Sequence, residues 1–228
     1  MSYNIRNARG ADGRVDLARI ARVIGSFEPD IVALQEVDAH RARSGHIDQA
    51  AELATTLGMS AEYTACVVRE RECYGLATLT RLPIVEVAHL ELPTHVHLRT
   101  EPRRALVTRH AWPVPGAMLA MVNTHLSTVA AERPGQVAAI AEALPDLEMV
   151  IAGDLNCTIW SRALRPLMPR VRSATKHART WPARAPLFPI DHILVAGPLE
   201  VVEAGSWKRG GARKASDHLP VVAVLEAA

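Results

Sequence analysis

Short apolar runs interrupted by polar clusters alternate with amphipathic stretches along this chain, and the alternation predicts a mixed α/β fold. The runs Ile31 to Gln35, Leu76 to Thr80, Ala105 to Arg109, Leu119 to Thr124, Met149 to Ala152, His192 to Val195 and Val221 to Leu225 are short and rich in Val, Ile and Leu, which predicts strands. Helices are predicted over Val15 to Phe27, Ile47 to Leu57 and Pro134 to Leu144, the last with proline at its start. In the first, Leu17, Ile20, Val23, Ile24 and Phe27 keep the three-and-four spacing of a buried stripe. Pro29 and Pro145 each close a helix ahead of a strand. Strand and helix do not alternate strictly, and hairpins fill the middle. That pattern favours packed sheets flanked by helices over a Rossmann-type sheet. No Gly/Ser linker, charge block or repeat divides the chain, so residues 1–228 are expected to form one domain.

Composition narrows the class. With 228 residues and 49% apolar side chains the chain can bury a substantial core. A formal charge of +2, with a pI near 8.6, is a mild bias towards anionic partners and not a nucleic-acid signature. Arginine dominates the cations, and its planar fork suits phosphate. Cys66, Cys73 and Cys157 are odd in number and lack metal-binding spacing, which argues against a disulfide framework and for a reducing compartment. Neither a leader peptide nor a membrane-spanning run is visible, so a soluble, cytoplasmic monomer without integral membrane association is the expectation.

The candidate chemistry sits where strands end. Asp217 and His218 lie in Ser216-Asp217-His218-Leu219-Pro220 before the last predicted strand, and Asp191-His192 precedes an earlier one. A histidine acting as a base needs a carboxylate to fix its tautomer and stabilise its charged form, and Asp191 can serve His218 in this way. Glu36 emerges where Ile31 to Gln35 leaves the core. It could be a solvated strand-end residue, or a hard oxygen ligand suited to magnesium, with Asn4 adding a neutral oxygen. Asp154 and Asn156 stand two apart after Met149 to Ala152. In an extended chain they would share a side and could orient water and a phosphoryl oxygen; alternatively Gly153-Asp154-Leu155-Asn156 is a turn that caps its own backbone. His125 ends Asn123-Thr124-His125 and is either structural or catalytic.

Taken in order, Asn4, Glu36, His125, Asp154/Asn156, Asp191 and Asp217/His218 resemble the endonuclease/exonuclease/phosphatase superfamily, the deoxyribonuclease I-like fold. The likeness runs from Ser2 to Val222, with secondary matches at Tyr74 to Arg81, Glu101-Pro102-Arg103 and Thr180-Trp181-Pro182. It implies a four-layered α/β sandwich, two packed mixed β-sheets flanked by helices. It also implies Mg2+-dependent hydrolysis of a phosphate ester by water, with Mn2+ as a substitute metal. On that basis Glu36 binds the metal with Asn4 close by, and Asp217 touches it through water. His218, paired with Asp191, is general base or phosphate contact. Asp154 positions the attacking water, and Asn156 and His125 hold non-bridging oxygens. Asp154 and His218 are expected to face solvent in a cleft. No covalent intermediate is expected, and Cys157 reads as a packing residue.

The sequence departs from the family at Leu76, where phosphatase-like members often carry asparagine, and at Phe188-Pro189, where a basic residue often precedes Ile-Asp-His. Leu76 leans towards a nucleic-acid phosphodiester as substrate, with Arg103 and Trp181 as substrate-binding residues. A lipid-linked or small-molecule phosphate ester is the alternative, and a catalytically silent binding module the least favoured reading. Basic loops lie between Asp154 and Asp191, with Trp160 and Trp181 either stacking on substrate or plugging the core. Lys208 to Lys214 reads as a mobile basic loop.

Overall fold

The computed structural model describes residues 1–95, 97, 100–112, 118–144 and 148–227. Its strands are β1 (Ser2–Asn4), β2 (Ile31–Ala39), β3 (Ser60–Arg69), β4 (Glu72–Thr80), β5 (Ile84–Leu92), β6 (Arg103–Ala111), β7 (Met118–His125), β8 (Met149–Asp154), β9 (Arg172–Ser173), β10 (Asp191–Ala196), β11 (Leu199–Ser206) and β12 (Val221–Ala227). The helices are α1 (Leu17–Gly25), α2 (Gln49–Leu57), α3 (Arg133–Ala143) and the single turn α4 (Ala212–Ala215). One sheet runs β11-β12-β1-β2-β4-β3 and the other β5-β6-β7-β8-β10-β9. Both are mixed, because β1 pairs with β2 and β7 with β8 in parallel while the other pairs are antiparallel.

The layers follow from which faces are apolar. Strands β8 and β10 are buried along their whole length, as strands covered on both faces must be. Ala33, Leu119, Met121, Val150, Ala152, Ile193, Val195 and Val221 meet between the sheets. Ile20, Val23 and Ile24 of α1 and Leu53 of α2 cover the outer face of the first sheet, and Val137 and Ile140 of α3 that of the second. Each such side chain contributes about 1.5–3 kcal/mol relative to exposure. The result is the expected four-layered sandwich.

Helix ends differ from the predicted ones for local reasons. Asp16 accepts a hydrogen bond from the Arg19 amide and Asp48 one from the Ala51 amide, so α1 and α2 begin just after these caps. Pro145 lies outside the described residues. The segment expected to be a mobile basic loop is instead anchored: Ala212 and Ala215 are buried, and Trp207 packs edge-on against Phe27 at 4.9 Å.

Candidate active site

The strand ends converge at one edge of the sandwich. In the second sheet His125, Asp154 and Asp191 are direct neighbours across β7, β8 and β10, forming a row of three candidate side chains. Gly153 makes this row possible, since a Cβ there would lie 1.9 Å from the Thr124 carbonyl oxygen. The first sheet supplies Asn4 at the end of β1 and Glu36 within β2. Glu36 does not mark the end of its strand as expected. It is the extra residue of a bulge between Gln35 and Val37, with φ at +59°, and β2 continues to Ala39. The bulge lifts its side chain out of the ladder and aims it at the site, a common use of bulges beside active sites.

Asp154 is the hub. Its Oδ2 accepts a hydrogen bond from Asn4 Nδ2 at 3.1 Å and lies 3.5 Å from His125 Nε2 and 3.7 Å from His218 Nε2. Its Oδ1 accepts from the Asn156 amide at 2.9 Å, closing the tight turn considered from the sequence. Asn156 therefore adopts φ +50° rather than an extended form, and its Nδ2 donates to the Leu126 carbonyl. His218 Nδ1 meets Asp191 Oδ2 at 2.9 Å, while Asp191 Oδ1 has no hydrogen-bond partner among the described residues. His192, next in sequence, turns to the other face and bonds the Cys157 carbonyl. Cys157 packs in the core, and burial pushes its thiol pKa up.

Asp154 and His218 do not face solvent as expected; they are 2% and 6% exposed. Burial, and then Asp191, pushes Asp154 up to about 7. Burial alone would discharge His218, but the carboxylates of Asp191 and Asp154 lift it to about 10, so it is an imidazolium at neutral pH. His125 is the opposite case, held well below its ordinary value by burial, Arg103 and His218. Arg103 Nη1 lies 3.2 Å from His125 Nδ1, and because arginine only donates, Nδ1 must accept. The proton of neutral His125 is then on Nε2, facing Asp154.

Glu36, Asp154, Asn156, Arg103, His125, His218 and Trp181 line a cleft of about 540 Å³ together with Arg43, Tyr74, Thr100, Glu101, Ser127, Thr128 and Ile190. Arg43 carried no sequence signal: it comes from the loop after β2, where Asp38 clamps its guanidinium at 2.7 and 2.8 Å over the Tyr74 ring. Asp217 is not among the lining residues; its Oδ2 lies 3.4 Å from Arg6 Nε. Trp160 and Trp181 are both exposed, so neither plugs the core.

A sequence model described as Endonuclease/Exonuclease/phosphatase family matches residues 1–218. The chain belongs to this family. Among its relatives is the Escherichia coli (strain K12) protein described as uncharacterized protein YbhP, 29% identical, the match covering 93% of this chain and 89% of the relative. The endonuclease/exonuclease/phosphatase structure from Beutenbergia cavernae DSM 12333 is 24% identical, covering 99% of this chain and 70% of that one, with a TM-score of 0.82. The mannosyl-6-phosphatase Bt3783 of Bacteroides thetaiotaomicron VPI-5482 is 18% identical, covering 99% and 98%, with a TM-score of 0.75. These likenesses show the deoxyribonuclease I-like fold.

Family members are phosphoester hydrolases that generally depend on divalent metal, and the residues present fit a hard cation. Asp154, Asp191 and His218 place ligand atoms within 4.8 Å of one another. However, His218 Nδ1 is already committed to Asp191. Glu36 is the better anchor: burial, the largest effect on its carboxyl, raises its pKa, and a divalent ion would relieve that cost. Asn4 turns its amide nitrogen to Glu36 at 3.0 Å, with its oxygen accepting from the Arg6 amide. The amide would have to turn over to act as an oxygen ligand.

Proposed function

We propose that the protein hydrolyses phosphodiester bonds by direct attack of water, with Mg2+ as its metal and Mn2+ as a substitute. The observation that carries this reading is the buried chain Asp191 to His218 to Asp154, closed by His125 and Asn4 around one carboxylate oxygen. Glu36 would hold the ion, with Asn4 and, through water, Asp217 beside it; such an ion would supply positive charge to offset that on the phosphate or the leaving oxygen. Asp154, whose pKa is lifted to about 7, is suited to orient water and take its proton near neutral pH.

His218 enters as a cation oriented by Asp191, which suits contact with a phosphoryl oxygen better than the role of general base. His125 offers its Nε2 hydrogen, and Asn156 borders the same space, so both support charge growing on non-bridging oxygens. Arg103 stiffens His125 from behind and Trp181 forms the rim. The reaction is read as a single displacement by water, without a covalent enzyme intermediate.

Turnover of bis(4-nitrophenyl) phosphate with Mg2+, Mn2+ or EDTA tests this. Wild type is expected to need the metal, Asp154→Asn to lose at least about 100-fold, and Glu36→Gln to shift the metal titration to higher concentration. Undiminished turnover in EDTA, or near-normal rates for Asp154→Asn, would overturn the reading.

A further inference from the structure

Three exposed large apolar side chains crowd one short loop at the mouth of the cleft: Trp181 at 38%, Leu187 at 59% and Phe188 at 49%. Ala185-Pro186-Leu187-Phe188-Pro189-Ile190 is a run of six residues without a polar side chain. Trp181 and Ile190, at the loop's two ends, both line the cleft itself. Such a concentration is unusual on a soluble surface, where large apolar side chains scatter singly.

The loop is held in place. Thr180 and Trp181 donate to the Phe188 carbonyl at 3.0 and 3.2 Å, and Leu187 and Phe188 return bonds to Trp181 at 2.9 Å. Ala183, which is buried, donates to Asp217 at 2.7 Å, and Leu219 donates to Thr180 at 3.0 Å. The Trp181 and Phe188 rings lie 5.9 Å apart. An apolar surface presented by a backbone that satisfies its own hydrogen bonds is what entry into a lipid interface demands.

The chain that carries the loop is basic, although Glu36, Glu101 and Asp154 share the cleft with Trp181 and Ile190, and Asp12 lies in a pocket with Arg184 and Arg213. Between Asp154 and Asp191 the chain carries seven cations and no acidic residue. Of these Arg179, next to the loop in sequence, and Arg184, within it, are exposed, and Arg213 binds the Ala183 and Arg184 carbonyls from α4. An apolar tip with exposed arginines in and next to it matches an anionic bilayer, whose surface attracts each basic residue by about 1 kcal/mol. Nucleic acid would use the cations and the Trp181 face, but it offers no apolar phase for Leu187 and the prolines.

We infer that the loop 180–190 docks this protein on an anionic lipid bilayer, so that the cleft opens onto phosphodiesters of lipid head groups. The substrate part of this inference rests on the hydrolytic reading above; the docking part does not.

The test is co-sedimentation of the full chain with vesicles of phosphatidylcholine alone and of phosphatidylcholine mixed with phosphatidylglycerol. Wild type should partition onto the mixed vesicles more strongly than onto the neutral ones, and high salt should weaken the difference. The double substitution Leu187→Ser, Phe188→Ser should lower partitioning about tenfold or more. Its thermal midpoint should stay close to wild type, because both side chains are exposed. Wild type that ignores the mixed vesicles, or a double variant that binds them unchanged, overturns the inference. So does a variant that loses affinity for single-stranded DNA while keeping its vesicle binding. Vesicle binding by a protein that leaves bis(4-nitrophenyl) phosphate intact would remove the hydrolytic reading and leave the docking surface standing.

Discussion

Gln35 Nε2 donates to Asn123 Oδ1 over 2.9 Å and so ties β2 of one sheet to β7 of the other beneath the active site. Asn123 in turn donates to the carbonyls of Leu34 and Ala77 at 3.1 and 2.9 Å, and both side chains are fully buried. An apolar replacement would strand these partners, and each buried group left unsatisfied costs about 1–3 kcal/mol. Asn123→Leu is expected to lower unfolding free energy by about 2–4 kcal/mol, measured by urea titration. It should also lower turnover in the folded fraction, because Glu36 and His125 are one and two residues along from this tie. A variant with wild-type stability would mean that the tie is dispensable.

The carboxylate of Asp191 does more than orient His218. With desolvation opposing it, Asp191 is the largest force keeping the imidazole charged. Asp191→Asn should therefore lower the His218 pKa from about 10, with the charged form lost over the range below that value as pH rises. Histidine titration by NMR reads the shift directly. Turnover should fall by about 100-fold or more. An unmoved His218 resonance would assign the imidazolium to Asp154 instead.

What was legible in the sequence follows the burial of each strand. Strands β2, β8 and β10 sit in sheet interiors, so their apolar runs stood out. The strands β3, β5, β9 and β11 are the four sheet edges, where one side meets solvent and polar residues interrupt the run. None of the four shows the apolar run that marks an interior strand, nor does β1, which has only three residues. Most candidate site residues are legible because carboxylates, imidazoles and amides next to apolar runs have no packing reason to be there; Glu36, inside β2, is read as a strand end because the bulge itself leaves no sequence signal. Their geometry is not legible: a positive φ at Glu36 and Asn156 has no periodic signature. Arg43 reaches the cleft through a pair with Asp38 that only the folded loop creates.

Gly153 sits between the apolar strand and Asp154, and its lack of a side chain lets β7 and β8 approach. Gly153→Ala would drive a methyl group against the Thr124 backbone, which cannot yield as a flexible side chain would. The strands must part, at about 1–3 kcal/mol for overpacking. Because His125 and Asp154 flank the collision, activity should fall further than stability. Thermal melts and turnover on the same preparation separate the two, and an alanine variant matching wild type in both would show that the strands can shift without cost.

His110 makes stability depend on pH far from the active site. It is fully buried, with Nε2 2.8 Å from the Thr108 hydroxyl, and burial lowers its pKa to about 4 from an ordinary 6.5. The unfolded chain takes up the proton below about 6.5, whereas the folded chain resists until about 4. Between those values the unfolded state binds more protons, so stability falls as pH falls, by about 3 kcal/mol in full from this group. His110→Gln keeps a polar group for Thr108 but cannot titrate. Its urea midpoint should therefore decline less than that of wild type between pH 7.5 and pH 4.5. Parallel curves for the two proteins would place the acid sensitivity elsewhere, with buried His125 and His192 next in line.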